Sequence, residues 1–279
     1  MDTVTFLSFA VSGLLVGTLV GATGVGGGSL MTPILVLLFG VNPATAVGTD
    51  LLFAGVTKSF GTLLHGLNRS VSWKVLGRLS LGSLPAAGIT LWALRRFEDA
   101  QATAALMTHA LGIALLITST ALLFQPWLQK LTKRGSSPDE AAPSAEDAEL
   151  VARLEAEAED RPGVAMRTVL LGAVLGALVT FTSVGAGALG VVVLVALYPK
   201  VRSVRIVGTD IAHAVPLTLL AGAGHASLGG VDYGMLGALI CGSIPGVVLG
   251  SQLAFRVSER VLKGGLGAIL FAVGSKLVF

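Results

Sequence analysis

Gly21-Ala-Thr-Gly-Val-Gly-Gly-Gly-Ser29 (GATGVGGGS) lies between two apolar segments, Val4 to Val20 and Leu30 to Phe39, and a partial copy, SVGAGAL, recurs at Ser183 to Leu189. Each glycine inside a helix costs about 1 kcal/mol relative to alanine, so a helix entering this stretch is expected to break. A break within a bilayer frees backbone N–H and C=O groups, which are tolerated only where protein or a water-filled cavity satisfies them. The stretch is therefore a candidate binding site as well as a break.

The rest of the composition places that break in a membrane. The 279 residues are 53% hydrophobic and 13% charged, and the mean hydropathy is +0.83, far too apolar for a soluble domain. An all-α polytopic membrane protein is expected, with the lipid bilayer as its surroundings. Nine of the sixteen acidic residues fall between Asp139 and Asp160, so the net charge of +3 reflects basic loops rather than a nucleic-acid surface. The single cysteine, Cys241, makes no internal disulfide, and no metal-ligand spacing or Walker-type loop calls for a metal, ATP or another cofactor. The first apolar segment lacks the basic leader of a cleavable signal peptide.

Ten apolar segments follow in two sets of five. Val4–Val20, Leu30–Phe39, Ala44–Leu64, Val75–Leu94 and Ala102–Phe124 precede an acidic stretch, and Val164–Phe181, Leu189–Tyr198, Val204–Gly224, Gly234–Phe255 and Val261–Phe279 follow it. The second segment of each set is too short to cross alone, since a spanning helix needs about 20 apolar residues. The sets are repeats. At an offset of 159, Gly13, Gly17, Val25, Gly26, Gly28 and Leu30 fall on Gly172, Gly176, Val184, Gly185, Gly187 and Leu189. At an offset of 160, Val47-Gly48-Thr49-Asp50, His65, Gly82, Ser83 and Pro85 fall on Val207-Gly208-Thr209-Asp210, His225, Gly242, Ser243 and Pro245. The expected division is a first transmembrane repeat at 1–128, an acidic linker at 129–163 and a second repeat at 164–279. If the first two segments pair as a broken or re-entrant hairpin, each half crosses an odd number of times and the repeats are inverted. Fifteen Lys and Arg residues then share the linker side, against Arg95, Arg96 and Lys276 on the other. Basic residues collect in the cytoplasm, so a cytoplasmic linker and external termini are expected.

Asp50, Lys58, His65, His109, Asp210, His213 and His225 are ionisable residues within the apolar segments or at their edges. A central charge costs about 2.5 to 3.5 kcal/mol on insertion scales, which makes each a functional candidate. Asp50 and Asp210, expected near opposite membrane faces, suit proton binding or relay, or else buttress the broken backbone. Lys58, near mid-membrane, suits an anion or an ion pair with an aspartate. His213, one helical turn after Asp210, suits a carboxylate–imidazole pair for proton coupling. His65 and His225 are expected in interfacial packing. A helix restarting at Ser29 or Leu189 presents unpaired N–H groups to an anion. The candidate anion-binding set is therefore Gly24, Gly26, Gly27, Gly28, Ser29, Thr49 and Lys58 from the first half, with Ser183, Gly185, Gly187 and Thr209 from the second. Small residues at such places also permit close helix packing.

GATGVGGGSLMTPIL and NPATAVGTDL in the first half, with SVGAGALG and VRIVGTDIAHAVPL in the second, resemble the TauE/SafE family. The second glycine motif departs from the first, with Ala186 and Ala188 in place of Gly27 and Ser29. The resemblance spans both halves and excludes the linker. It implies a bacterial inner-membrane permease for small anions such as sulfite, sulfonates or other small organic acids, working without ATP hydrolysis. Protons are the expected coupling ion, and a homo-oligomer is open to such a chain. A non-catalytic membrane assembly subunit and an intramembrane hydrolase using Ser29 or Ser183 with a histidine are the competing readings. No nucleophile elbow supports the hydrolase.

Overall fold

The computed structural model describes residues 2–23, 28–67, 71–97, 99–132, 159, 161, 163–185, 187–253 and 259–279. Ten helices make up nearly all of them. Before the linker come α1 (Thr3–Thr23), α2 (Gly28–Leu37), α3 (Pro43–Leu67), α4 (Trp73–Arg96) and α5 (Ala100–Thr132). After it come α6 (Val164–Thr182), α7 (Ala188–Leu197), α8 (Ser203–Ser227), α9 (Tyr233–Leu253) and α10 (Glu259–Val278). The helices follow the ten expected segments, although α5 runs four residues past the expected end of the first half.

Among the described residues, α1, α5, α6, α8 and α9 are long and apolar enough to cross a membrane. The ten-residue helices α2 and α7 rise only about 15 Å, half of a ~30 Å hydrocarbon layer. Exposed Trp73 and Trp92 mark the two ends of α4, roughly 28 Å apart at helical rise, a spacing that suits two aromatic interfaces. Arg96 extends the C-terminal end by stacking its guanidinium 5.1 Å from the Trp92 ring. Between those ends α4 turns Leu81 and Ile89 outward, 68% and 67% exposed, a face made for lipid rather than water.

The second break shows its backbone cause. Ser183 ends α6 in the left-handed region at φ 60°, and Gly185 and Gly187 follow at φ 124° and 121°, a region that only glycine enters without strain. The Thr182 hydroxyl accepts the Val184 N–H at 3.1 Å, so a freed donor is satisfied locally. The helices resume at Gly28 and Ala188, one residue earlier than the expected Ser29 and Leu189.

Helix pairing crosses between the halves. Along α1, Gly13, Gly17 and Gly21 meet Leu239, Ser243 and Val247 of α9, so these two helices run parallel. Their counterparts pair in the same way, Gly172 and Gly176 of α6 meeting Leu79 and Ser83 of α4. At the centre, α3 runs antiparallel to its own counterpart α8, with Gly48 against Gly230, Gly222 against Leu52 and Gly55 against Leu219. Helix α5 is likewise antiparallel to α10, Gly112 meeting Leu277 and Gly267 meeting Leu123. Lipid provides no hydrophobic drive for these contacts, so they depend on backbones approaching closely over small residues. Val47, Leu51, Ala87, Val179 and Leu217 form the apolar centre between the halves.

Gly242→Ala and Gly237→Ala, five residues apart on α9, separate packing from helix propensity. A Cβ at Gly242 would run into the Ala10 backbone of α1, whereas Gly237 opens on empty space. The first change is expected to cost about 1 to 3 kcal/mol through overpacking, and the second to gain up to about 1 kcal/mol. Thermal unfolding in detergent should therefore move the two midpoints in opposite directions.

Candidate functional site

The two VGTD elements lie where α3 and α8 cross, and each serves the opposite half. Gly48 lets α3 sit against the Gly230 carbonyl and His225. The Thr49 hydroxyl then accepts the Asp232 N–H at 3.1 Å, just ahead of α9. In the second element, the Thr209 hydroxyl accepts the Ser72 N–H at 2.8 Å, just ahead of α4. Both N–H donors belong to helix-capping residues, as Asp232 Oδ1 accepts from Met235 N and Ser72 Oγ from Val75 N. The paired threonines thus fasten the start of helix four of one half to helix three of the other.

Immediately after each threonine comes a fully buried carboxylate. Asp50 lies against α2, where Thr32 donates its hydroxyl to Asp50 Oδ2. The Ser183 side chain, from the break of the other half, also faces Asp50, and Val184 beside it packs with Leu30 and Met31 of α2. Asp210 occupies the equivalent place at α7. Its carboxylate lies beside the Gly187 backbone at the helix start, and a Cβ at Gly190 would collide with Asp210 Oδ1. Both Asp210 oxygens and Asp50 Oδ1 lack a hydrogen bond of good geometry among the described residues.

Lys58 is 9% exposed and reaches both aspartates electrostatically. Its place follows from the antiparallel crossing. Because Gly55 faces Thr218, Asp50 and Asp210 lie roughly 10 Å to either side of Lys58 along the helix axes. One lysine therefore stands between two aspartates that approach it from opposite ends of the α3–α8 pair. The counterpart of Lys58 is Thr218, whose hydroxyl is spent on the Ala214 carbonyl at 2.7 Å, so the charge has no symmetry mate.

Other expected residues fall differently. His213 is buried, but Nε2 pairs with Ser83 Oγ of α4 at 2.8 Å, and Nδ1 has no partner among the described residues. The expected hydrogen-bonded pair with Asp210 is not formed. Local spacing suggested it, and the packing of α4 on α8 instead brings Ser83 to the ring. His225, near the end of α8, is buried, with Nε2 2.9 Å from the Thr180 carbonyl. His109 is exposed and bonds its own helix through the Ala105 carbonyl. Ser29 and Ser183 are both buried, while Gly28, Gly185 and Gly187 stand at the helix breaks. Gly24, Gly26, Gly27 and the His65 side chain lie outside the described residues. Thr32, Ser83 and Gly190 were missed from sequence. The repeated GSxP pattern pointed at Ser83, but nothing local marked Thr32 or Gly190.

A family model described as Sulfite exporter TauE/SafE matches residues 9–277. The "Probable membrane transporter protein YjnA" of Bacillus subtilis is 36% identical over 273 residues, covering 98% of this chain and 99% of that protein. The "Probable membrane transporter protein YdhB" of the same organism is 25% identical, over 95% and 97% of the two chains. A "Probable membrane transporter protein" of Xylella fastidiosa is 26% identical, over 96% and 93%. No solved structure matches the chain.

Thr49→Val and Thr209→Val retain the side-chain shape but leave the Asp232 or Ser72 N–H without its acceptor. Each is expected to cost about 1 to 3 kcal/mol. The serine replacements should restore most of the loss, as read by thermal unfolding of the purified protein.

Proposed function

The chain belongs to the sulfite exporter TauE/SafE family of membrane transporters, and from that premise we propose a secondary transporter of a small anion, coupled to protons and built as two inverted repeats. The observation that carries this reading is the buried Lys58 placed between Asp50 and Asp210. Two carboxylates and one ammonium leave a net negative site. A sulfite, sulfonate or small carboxylate entering beside Lys58 would bring further negative charge into a poorly solvated interior, where an unbalanced charge is costly. Protonating one aspartate offsets that cost, so anion and proton travel together. The aspartate oxygens without donors are places for that proton. Because each carboxylate also lies against a resumed helix, its neutralisation leaves N–H groups at α2 or α7 for the anion.

Inversion is supported by counterpart helices running antiparallel, α3 to α8 and α5 to α10. Such repeats convert one site into alternating access when one half rocks against the other. His213, held by Ser83, is the third member of the proposed proton path. The linker side is assigned to the cytoplasm of a bacterial cell because Lys74, Arg78, Lys200, Arg202 and Arg205 flank the starts of α4 and α8. Ser183 faces a carboxylate rather than an imidazole, which suits a transporter and not a hydrolase.

Lys58→Ala is expected to reduce sulfite flux in proteoliposomes about ten- to a hundredfold, the weight of a charged hydrogen bond. Asp50→Asn and Asp210→Asn should flatten the dependence of flux on pH. Unchanged flux in the lysine variant, with an unchanged pH profile in both asparagine variants, would sink these roles. If the purified wild-type protein moves neither sulfite, sulfoacetate, taurine nor small carboxylates, the assembly-subunit reading takes its place.

A further inference from the structure

We propose that Ser72 and Arg205 form a second anion-binding site on the linker face, occupied here by the chain's own Glu159 carboxylate and open to a small oxyanion in its stead. Glu159 comes from the acidic linker, yet it is 5% exposed. Ser72 Oγ donates to Glu159 Oε1 at 2.7 Å, and an Arg205 guanidinium nitrogen stands 3.7 Å from the same oxygen. Arg78 secures the residue by donating to the Glu159 backbone carbonyl at 2.6 Å. A hydroxyl and a guanidinium converging on one oxygen, at the start of α4, form a donor set suited to any carboxylate, sulfonate or sulfite.

Comparison of the two halves shows why this carboxylate is exchangeable. Ser72 and Asp232 are counterparts, and each N–H is held by the threonine of the opposite VGTD element. Asp232 carries a carboxylate of its own and caps α9 with it. Ser72 has none, and the negative charge at its side is delivered by a residue 87 positions away. An anion built into the capping residue cannot leave without unfolding the turn, whereas one brought by a tethered chain can be displaced. The site also communicates inward. Thr209, which holds Ser72, directly precedes Asp210, and Ser72, Thr209 and Arg205 border a narrow cleft floored by Val75, Tyr198 and Ile206. An anion exchanging with Glu159 therefore lies beside Ser72, whose N–H is held by Thr209, one residue before Asp210.

The inference rests on the small-anion reading for its choice of probe, inorganic sulfite. Sulfite affinity is measured calorimetrically on the full-length protein in detergent for the wild type, Glu159→Gln, and Glu159→Gln combined with Arg205→Ala. The glutamine variant should bind sulfite at least about fivefold more tightly, and Arg205→Ala should abolish that gain. Hydrogen exchange on the wild type supplies a readout that needs no variant, since sulfite should accelerate exchange in peptides containing Glu159. Unchanged affinity in Glu159→Gln, a gain that survives loss of Arg205, or exchange indifferent to sulfite would each overturn the proposal and leave Glu159 as a buttress. Flux is tested apart from binding. Sulfite flux without these binding effects removes only the linker-face site, and the binding effects without flux remove only the transport reading.

Discussion

A backbone N–H or C=O left without a partner in hydrocarbon costs several kcal/mol, and the whole arrangement of this protein follows from breaking two helices under that constraint. The second break is satisfied in part by its own sequence, through the Thr182 hydroxyl and the turn taken by Ser183, Gly185 and Gly187. The remaining demand falls on residues distant in the chain. Asp50 lies against α2 and Asp210 against the start of α7, so the same carboxylates that settle the resumed helices also place ionisable groups inside the helix bundle. Structural satisfaction and candidate chemistry thus reside in the same atoms.

Close backbone approach is the means by which those carboxylates are brought into register. Glycines at four-residue spacing on α1 and α9 let two parallel helices touch, and the antiparallel crossing of α3 with α8 sets Lys58 between the two aspartates. The lack of a charged counterpart to Lys58 makes the centre asymmetric within a nearly symmetric frame, while the paired threonines tie each half to the other. The starts of α4 and α9 are thereby each held by the opposite half.

Much of this was legible in the residues. The ten segments, the two short second limbs and the duplicated VGTD element appear as helices and contacts close to where they were expected. Lys58, Asp50 and Asp210 stood out because charge is costly in hydrocarbon, whatever the fold around it. Local spacing failed for His213, which shares a helix face with Asp210 yet bonds Ser83. His225, at a segment end, packs against α6 through the Thr180 carbonyl. In both cases the deciding partner comes from a different helix, and no periodicity within one segment encodes it. Glu159 is the extreme case. Its composition reads as a polar tether, and only the positions of Arg78 and Arg205 make it a buried ligand.

The sequence by itself determined that this chain lives in a membrane, that its two sets of segments share motifs at a fixed spacing, and where its helices break, because hydropathy, motif spacing and glycine content are local quantities. The tertiary structure decided which half each motif serves. Thr49 and Thr209 reach across to the opposite repeat, and one lysine lies between two aspartates. Those outcomes depend on helix direction and interhelical distance, set by contacts between residues more than a hundred positions apart. Beyond the first glycine stretch, the resumed helix α2 meets Asp50 of its own half, and Asp50 in turn meets Ser183 of the other.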